Sequence, residues 1–311
     1  MKKILLGVSL IALAALAALA GAYYLLPQHF VAPLIALNRA SAGLTEHTVQ
    51  VGPHRLHYLA GGSGTPVILL HGIFAEKDHW VDFARAMSGP YQLLLPDLPG
   101  FGSSGPVAGQ TYDYAAQVER LRAWMDAIGV QQAHLAGSSM GGTIAALFAQ
   151  RYPQRVLSVA FIGAPHGIRT PRSSVMDGLI DAGANSPLIP ENEQEFEKML
   201  KLLFAQRPFL PYPITQRALA DALRDAPGKL RIWNQQLADR YLLDTRIATI
   251  DQPVLVLWGA QDHLFDASGA AVLQRRLPRA EVQLIPDVGH LPMMEVPRDS
   301  AQTYSRFLGQ K

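Results

Sequence analysis

The chain has 311 residues, 49% of them hydrophobic, with 27 Lys plus Arg against 25 Asp plus Glu and a formal net charge of +2. Lys2 and Lys3 supply that surplus, so the rest is charge-neutral and offers no basic face for a phosphate backbone, which excludes nucleic acid as a partner. There is no cysteine, which excludes disulfides, thiolate metal sites, a cysteine nucleophile and lipid attachment at an N-terminal cysteine.

Residues 4–26 carry no charge, and Ser9 is their only clearly polar member. As a helix this run would be about 35 Å long, enough to cross a hydrocarbon core of about 30 Å. The apolar region of a cleaved signal peptide is shorter, about 7–15 residues, and here the run continues past the small residues Ala18-Leu19-Ala20 to Tyr23, Tyr24 and Pro27. The expectation is therefore an uncleaved anchor over residues 1–26, with secretion after signal cleavage as the alternative. Lys2 and Lys3 would stay on the cytoplasmic side of a cell inner membrane and place the remainder on the periplasmic side. Residues 27–46 read as a linker.

From residue 47 onward, short β-rich apolar runs alternate with helical stretches, the pattern of an α/β fold with a mostly parallel central sheet and helices on both faces. Residues 48–51 and 55–59, joined at Gly52-Pro53, read as an opening hairpin. The clearest later strands are 67–70, 92–95, 133–136, 156–162, 254–258 and 282–285. The spacing fails between residues 162 and 254. There Phe196, Met199, Leu200 and Leu203 recur at helical spacing behind a start signal at Asn192 and Glu195. Residues 165–246 are thus expected as an inserted helical cap over a core of 47–164 and 247–311, at the carboxyl ends of the strands where ligands bind.

Gly137-Ser138-Ser139-Met140-Gly141 fits G-x-S-x-G and stands between a strand and the helical run 142–148. That context predicts a nucleophile elbow, a turn so tight that its flanks need glycine, with the serine at a helix N-terminus. Ser139 fits; Ser138 would be flanked by Ala136 and Met140. A serine hydroxyl needs a base, and the base needs an orienting carboxylate, in the order serine, acid, histidine. His290, just after the last strand, is the expected base, since His166 precedes the acid and His263 adjoins it. Asp262 is the expected acid because it directly follows strand 254–258; Asp266 reads as a helix N-cap and Asp251 lies at the wrong strand end. Oxyanion donors are expected from the N–H groups of Met140 and of Ile73 in the loop His71-Gly72-Ile73-Phe74. This chemistry calls for no metal or organic cofactor.

Together these pieces resemble the α/β-hydrolase superfamily. Three motifs are more specifically similar to bacterial family V lipases and membrane-anchored monoacylglycerol lipases: residues 71–80 from His71-Gly72-Ile73-Phe74 to His79-Trp80, Asp97-Leu98-Pro99-Gly100-Phe101-Gly102-Ser103-Ser104, and Gly137-Ser138-Ser139-Met140-Gly141-Gly142. Ile73-Phe74 stands where members more often have Phe-Gly or Phe-Ser, which bears on acyl-pocket shape, and Gly-Ser-Ser replaces the frequent Gly-Asn-Ser. The resemblance implies an α/β-hydrolase fold, the same triad and oxyanion pair, and hydrolysis of carboxylic esters of apolar acyl chains, mono- or triacylglycerols among them. Carbon–carbon hydrolysis of ring-cleavage products uses a similar elbow but sits poorly with an outward-facing anchor. A non-catalytic tethered relative would typically have lost a triad member.

Overall fold

The computed structural model describes residues 2–87, 89–183 and 186–310. Helix α1 spans Lys2–Leu25, and its part Ile4–Leu25 is long and apolar enough to cross a membrane. Helix α2 (Gln28–Ser41) follows, so the stretch expected as a linker is largely helical. Arg39 fastens it to the body through Asp78 and Glu46, each at 2.6 Å.

The predicted hairpin is β1 (Thr45–Val51) with β2 (His54–Gly62), paired antiparallel. The remaining elements are β3 (Thr65–Leu70), α3 (Val81–Ala86), β4 (Tyr91–Pro96), α4 (Tyr114–Ala127), β5 (Ala133–Ser139), α5 (Met140–Arg151) and β6 (Val156–Pro165). Between β6 and β7 (Val254–Gly259) lie α6 (Val175–Asp181), α7 (Glu193–Leu203), α8 (Tyr212–Leu223) and α9 (Ala226–Leu237). The chain closes with α10 (Gly269–Arg276), β8 (Glu281–Ile285), α11 (Pro292–Glu295) and α12 (Pro297–Gly309). Asn192 caps α7 as its sequence predicts, its side chain accepting from Glu195 N–H at 3.0 Å.

The eight strands form one sheet in the order β1-β2-β4-β3-β5-β6-β7-β8. The pairs β1–β2 and β2–β4 are antiparallel and all others parallel. Strand alternation divides the apolar residues between two faces. Ile68, Leu70, Phe161 and Val256 pack under α4, α5 and α10, whereas Val67, Leu69, Ile162 and Leu257 pack under α3 and α12. The order reverses beside β3 and β5, the switch point where parallel sheets open a crevice at their carboxyl ends.

Candidate active site

Ser139 ends β5 with φ 52° and ψ −119°, a conformation rarely tolerated by a residue with a side chain. The surroundings hold it there. A Cβ on Gly137 would run into the Gly141 carbonyl, and one on Gly141 into the Leu70 and His71 carbonyls, so both flanks must be glycine. The main chain can then reverse from buried strand to buried helix within a few residues. Thr143 Oγ1, one turn into α5, donates to the Ser139 carbonyl at 3.2 Å.

The acid and base meet across the ends of β7 and β8. Asp262 Oδ2 accepts from His290 Nδ1 at 2.8 Å and from Trp258 Nε1 at 3.0 Å; Oδ1 accepts from Leu264 N–H and Phe265 N–H at 2.9 Å each. Four donors converge on this carboxylate, which fixes its plane. With the carboxylate as acceptor, the His290 proton sits on Nδ1 and Nε2 is left free to take one. His263 and Asp251 are exposed, and Asp266 accepts from Ser268 N–H at 2.9 Å in the turn before α10, whose N-cap is Ser268 rather than the expected Asp266.

Ser139, Ile73 and Met140 line one narrow cavity of about 20 Å³, with Phe265 on its wall; the Phe265 and His290 rings stand 5.4 Å apart. The structure thus gathers the five predicted residues at the carboxyl end of the sheet. Among the hydrogen bonds of the described residues, none joins the Ser139 hydroxyl to His290.

Three further arrangements around the site carry no local sequence signal. His71 fixes the oxyanion loop: its Nε2 accepts from Leu98 N–H at 2.9 Å, so the proton is on Nδ1, which donates to the Gly72 carbonyl at 2.7 Å. Burial favours this neutral ring by lowering its pKa. Turning the Gly72 carbonyl toward His71 turns the Ile73 N–H of the same planar peptide the opposite way. Lys77 and Asp97 form a buried pair at 2.7 Å, and the Asp97 carboxylate also takes the Lys77 and Ser103 N–H groups, tying the oxyanion loop to the 97–104 turn. Glu295 accepts from Ala205, Gln206 and Gly289 N–H at 3.1, 2.8 and 2.8 Å, while His290 N–H donates to the Leu203 carbonyl at 3.0 Å. The end of α7 therefore holds the histidine loop.

The model of the alpha/beta hydrolase fold family matches residues 65–297. Lipase 1 of Psychrobacter immobilis is 29% identical over 275 residues, covering 87% of this chain and 85% of that protein. Monoacylglycerol lipase abhd6-B of Xenopus laevis is 30% identical over 283 residues, covering 87% and 84%. The crystal structure of a membrane phospholipase A, a bacterial virulence factor, superposes with a TM-score of 0.87 at 38% identity, covering 100% of this chain and 99% of that one.

Proposed function

This chain belongs to the alpha/beta hydrolase family, and from that premise we propose that it hydrolyses carboxylic esters of apolar acyl chains through an acyl-enzyme intermediate on Ser139. Lipase and esterase activity follows from relatives that match most of its length. In this mechanism the Ser139 hydroxyl attacks the ester carbonyl carbon while His290 Nε2 takes its proton. Asp262 holds the Nδ1 proton and stabilises the imidazolium. The oxyanion lies against Ile73 N–H and Met140 N–H, the latter free of an intrahelical acceptor because it begins α5. The tetrahedral adduct collapses, the alcohol leaves with the proton from His290, and a water activated by the same imidazole releases the acid. The observation that carries this reading is the strained backbone at Ser139, held by two obligatory glycines in the same cavity as both oxyanion donors.

Residues 165–246 act in this reading as the cap over the core of 47–164 and 247–311. Met176, Leu188 and Trp233 from that segment face the cavity and suit an acyl chain. Helix α1 serves as an inner-membrane anchor, with Lys2 and Lys3 on the cytoplasmic side and the catalytic part in the periplasm. Retention in the membrane pellet after alkaline extraction checks the anchor. For the chemistry, the full chain in detergent micelles is assayed with p-nitrophenyl butyrate and decanoate, with Ser139→Ala as control. The expected results are faster decanoate hydrolysis, loss of at least about 10³-fold in kcat in the variant, and fluorophosphonate labelling of the wild type alone. Undiminished turnover in Ser139→Ala would overturn the assignment.

A further inference from the structure

Phe74, the residue after Ile73, has φ 57°, in the left-handed region that a bulky side chain rarely occupies. Its ring is half-buried and stands 6.3 Å from that of Phe101. Rotation about its N–Cα bond moves everything before it, Ile73 N–H included, against everything after it. The loop therefore keeps its shape only if both of its ends are held. The core holds the near end through His71, bonded to Leu98 N–H and the Gly72 carbonyl, and the far end through Lys77, bonded to Asp97. Two arginines reach the far end from outside the core. Arg39 of α2 forks onto Asp78, Nε to Oδ1 and Nη2 to Oδ2 at 2.6 Å each, and its Nη1 donates to Glu46 at 2.6 Å. Arg217 of α8 donates through Nη2 to Glu76 Oε2 at 2.8 Å and through Nε to Asp221 Oδ2 at 3.1 Å.

A positive φ on an aromatic residue persists only where its surroundings over-determine it. Here Glu76, Lys77 and Asp78 are pinned one after another, by the insertion, by the core and by α2. A forked guanidinium–carboxylate pair fixes direction as well as distance. The Arg39 and Asp78 side chains are only 16% and 15% exposed, so solvent screens their pair weakly. Both outer pins stand beside the end of α1: α2 begins at Gln28, and Tyr212 N–H at the start of α8 donates to the Tyr23 hydroxyl at 3.1 Å.

We propose that Arg39 and Arg217 are positioning residues for ester hydrolysis: by pinning Asp78 and Glu76 they hold the left-handed turn at Phe74, and with it Ile73 N–H, where the oxyanion forms. Helix α2 and the insertion thereby complete an oxyanion loop that the core holds only in part. This inference rests on the esterase reading and adds to it what keeps one oxyanion donor in place.

The test measures kcat and KM of the full chain in detergent micelles on p-nitrophenyl decanoate for Arg39→Gln and Arg217→Gln, each alone and combined with Phe74→Gly. Each arginine variant should lower kcat about tenfold with KM within about twofold, short of the roughly 10²- to 10³-fold loss when an oxyanion donor is removed outright. Glycine takes a φ near 57° without strain, so in the Phe74→Gly background the same substitutions should cost no more than about threefold. A merely structural role would give the same fold-loss with phenylalanine or glycine at position 74, and that result overturns the proposal. Undiminished kcat in both arginine variants overturns it too, while wild-type turnover leaves the esterase reading standing. No hydrolysis by the wild type overturns both.

Discussion

Two arms bring the reacting groups of this protein together, and they are held in different ways. The serine arm, β5 into α5, is buried along all seven strand residues, and close backbone packing defines its elbow, Gly137 against Gly141 within the turn and Gly141 against the Leu70 and His71 carbonyls of the neighbouring strand end. The histidine arm is the loop after β8, an edge strand with no fully buried residue. Asp262 and the insertion hold that loop, through the Leu203 carbonyl and the Glu295 clamp on residues 205–206. One arm is specified by backbone packed closely inside the sheet and the other by side-chain and loop contacts at the sheet edge. The nucleophile should therefore be hard to displace without unfolding, whereas the base should be adjustable through the insertion.

The largest expected effect strikes the histidine arm directly. Asp262→Asn presents an amide donor where four N–H groups converge, so His290 loses its orienting acceptor and its tautomer. On the esterase reading, kcat should fall about 10³- to 10⁴-fold, measured on a soluble nitrophenyl ester, with the fold retained by circular dichroism. On the serine arm the corresponding break is Gly141→Ala, whose methyl group meets the Leu70 and His71 carbonyls. Backbone cannot yield as a flexible side chain can, so stability should drop by more than about 3 kcal/mol, read from urea unfolding. A variant as stable as wild type would mean that the elbow can relax, and the contrast between the arms would fail.

A smaller effect isolates the clamp. Glu295→Ala frees the Ala205, Gln206 and Gly289 N–H groups without touching His290 or Asp262. As a positioning residue, Glu295 should lower kcat about tenfold while KM stays within about twofold, with Glu295→Gln recovering part of the loss. Equal changes in kcat and KM would instead point to a disturbed cavity.

The same contrast explains which features the sequence carries. Every strand predicted from an apolar run is present; 67–70, 133–136 and 254–258 are buried on both sheet faces and leave a continuous β-rich signature, whereas the edge strand β8 forms with no fully buried residue. Ser139 is legible because the two glycines its turn demands, Gly137 and Gly141, lie beside it in sequence, even though the carbonyls that press on Gly141 come from Leu70 and His71. Asp262 and His290 could be chosen only from their place after strands. The Glu295 clamp was not legible, since its partners lie about 90 residues away. The His71 lock and the Tyr114–His166 pair were hidden for the same reason, their partners lying 27 and 52 residues off. Helix α2 was missed because its anchoring pairs run from Arg39 to Asp78 and Glu46, where a short polar-flanked stretch shows only a break in composition.

The mildest prediction separates the arms by pH. On the serine arm, burial pushes His134, whose Nδ1 sits 2.7 Å from Ser158 Oγ across β5 and β6, down to about 4. In the unfolded chain an ordinary histidine titrates near 6.5. The unfolded state therefore binds the extra proton first, and the stability that His134 contributes above pH 6.5 is lost as pH falls toward 4, up to about 3 kcal/mol. On the histidine arm the sign reverses. Burial raises the Glu295 carboxyl above its usual range despite its backbone donors, so its contribution is present at low pH and lost as pH rises through the raised value. Acid should thus loosen β5 and β6 before it loosens the loop after β8. Hydrogen exchange at pH 5 against pH 7, corrected for the intrinsic rate, should show protection falling in 133–162 and holding in 286–296. His134→Gln should flatten the Tm slope between pH 6.5 and 4. If both regions lose protection together, the two arms belong to one cooperative unit, and the base cannot be tuned through the insertion without cost to the nucleophile.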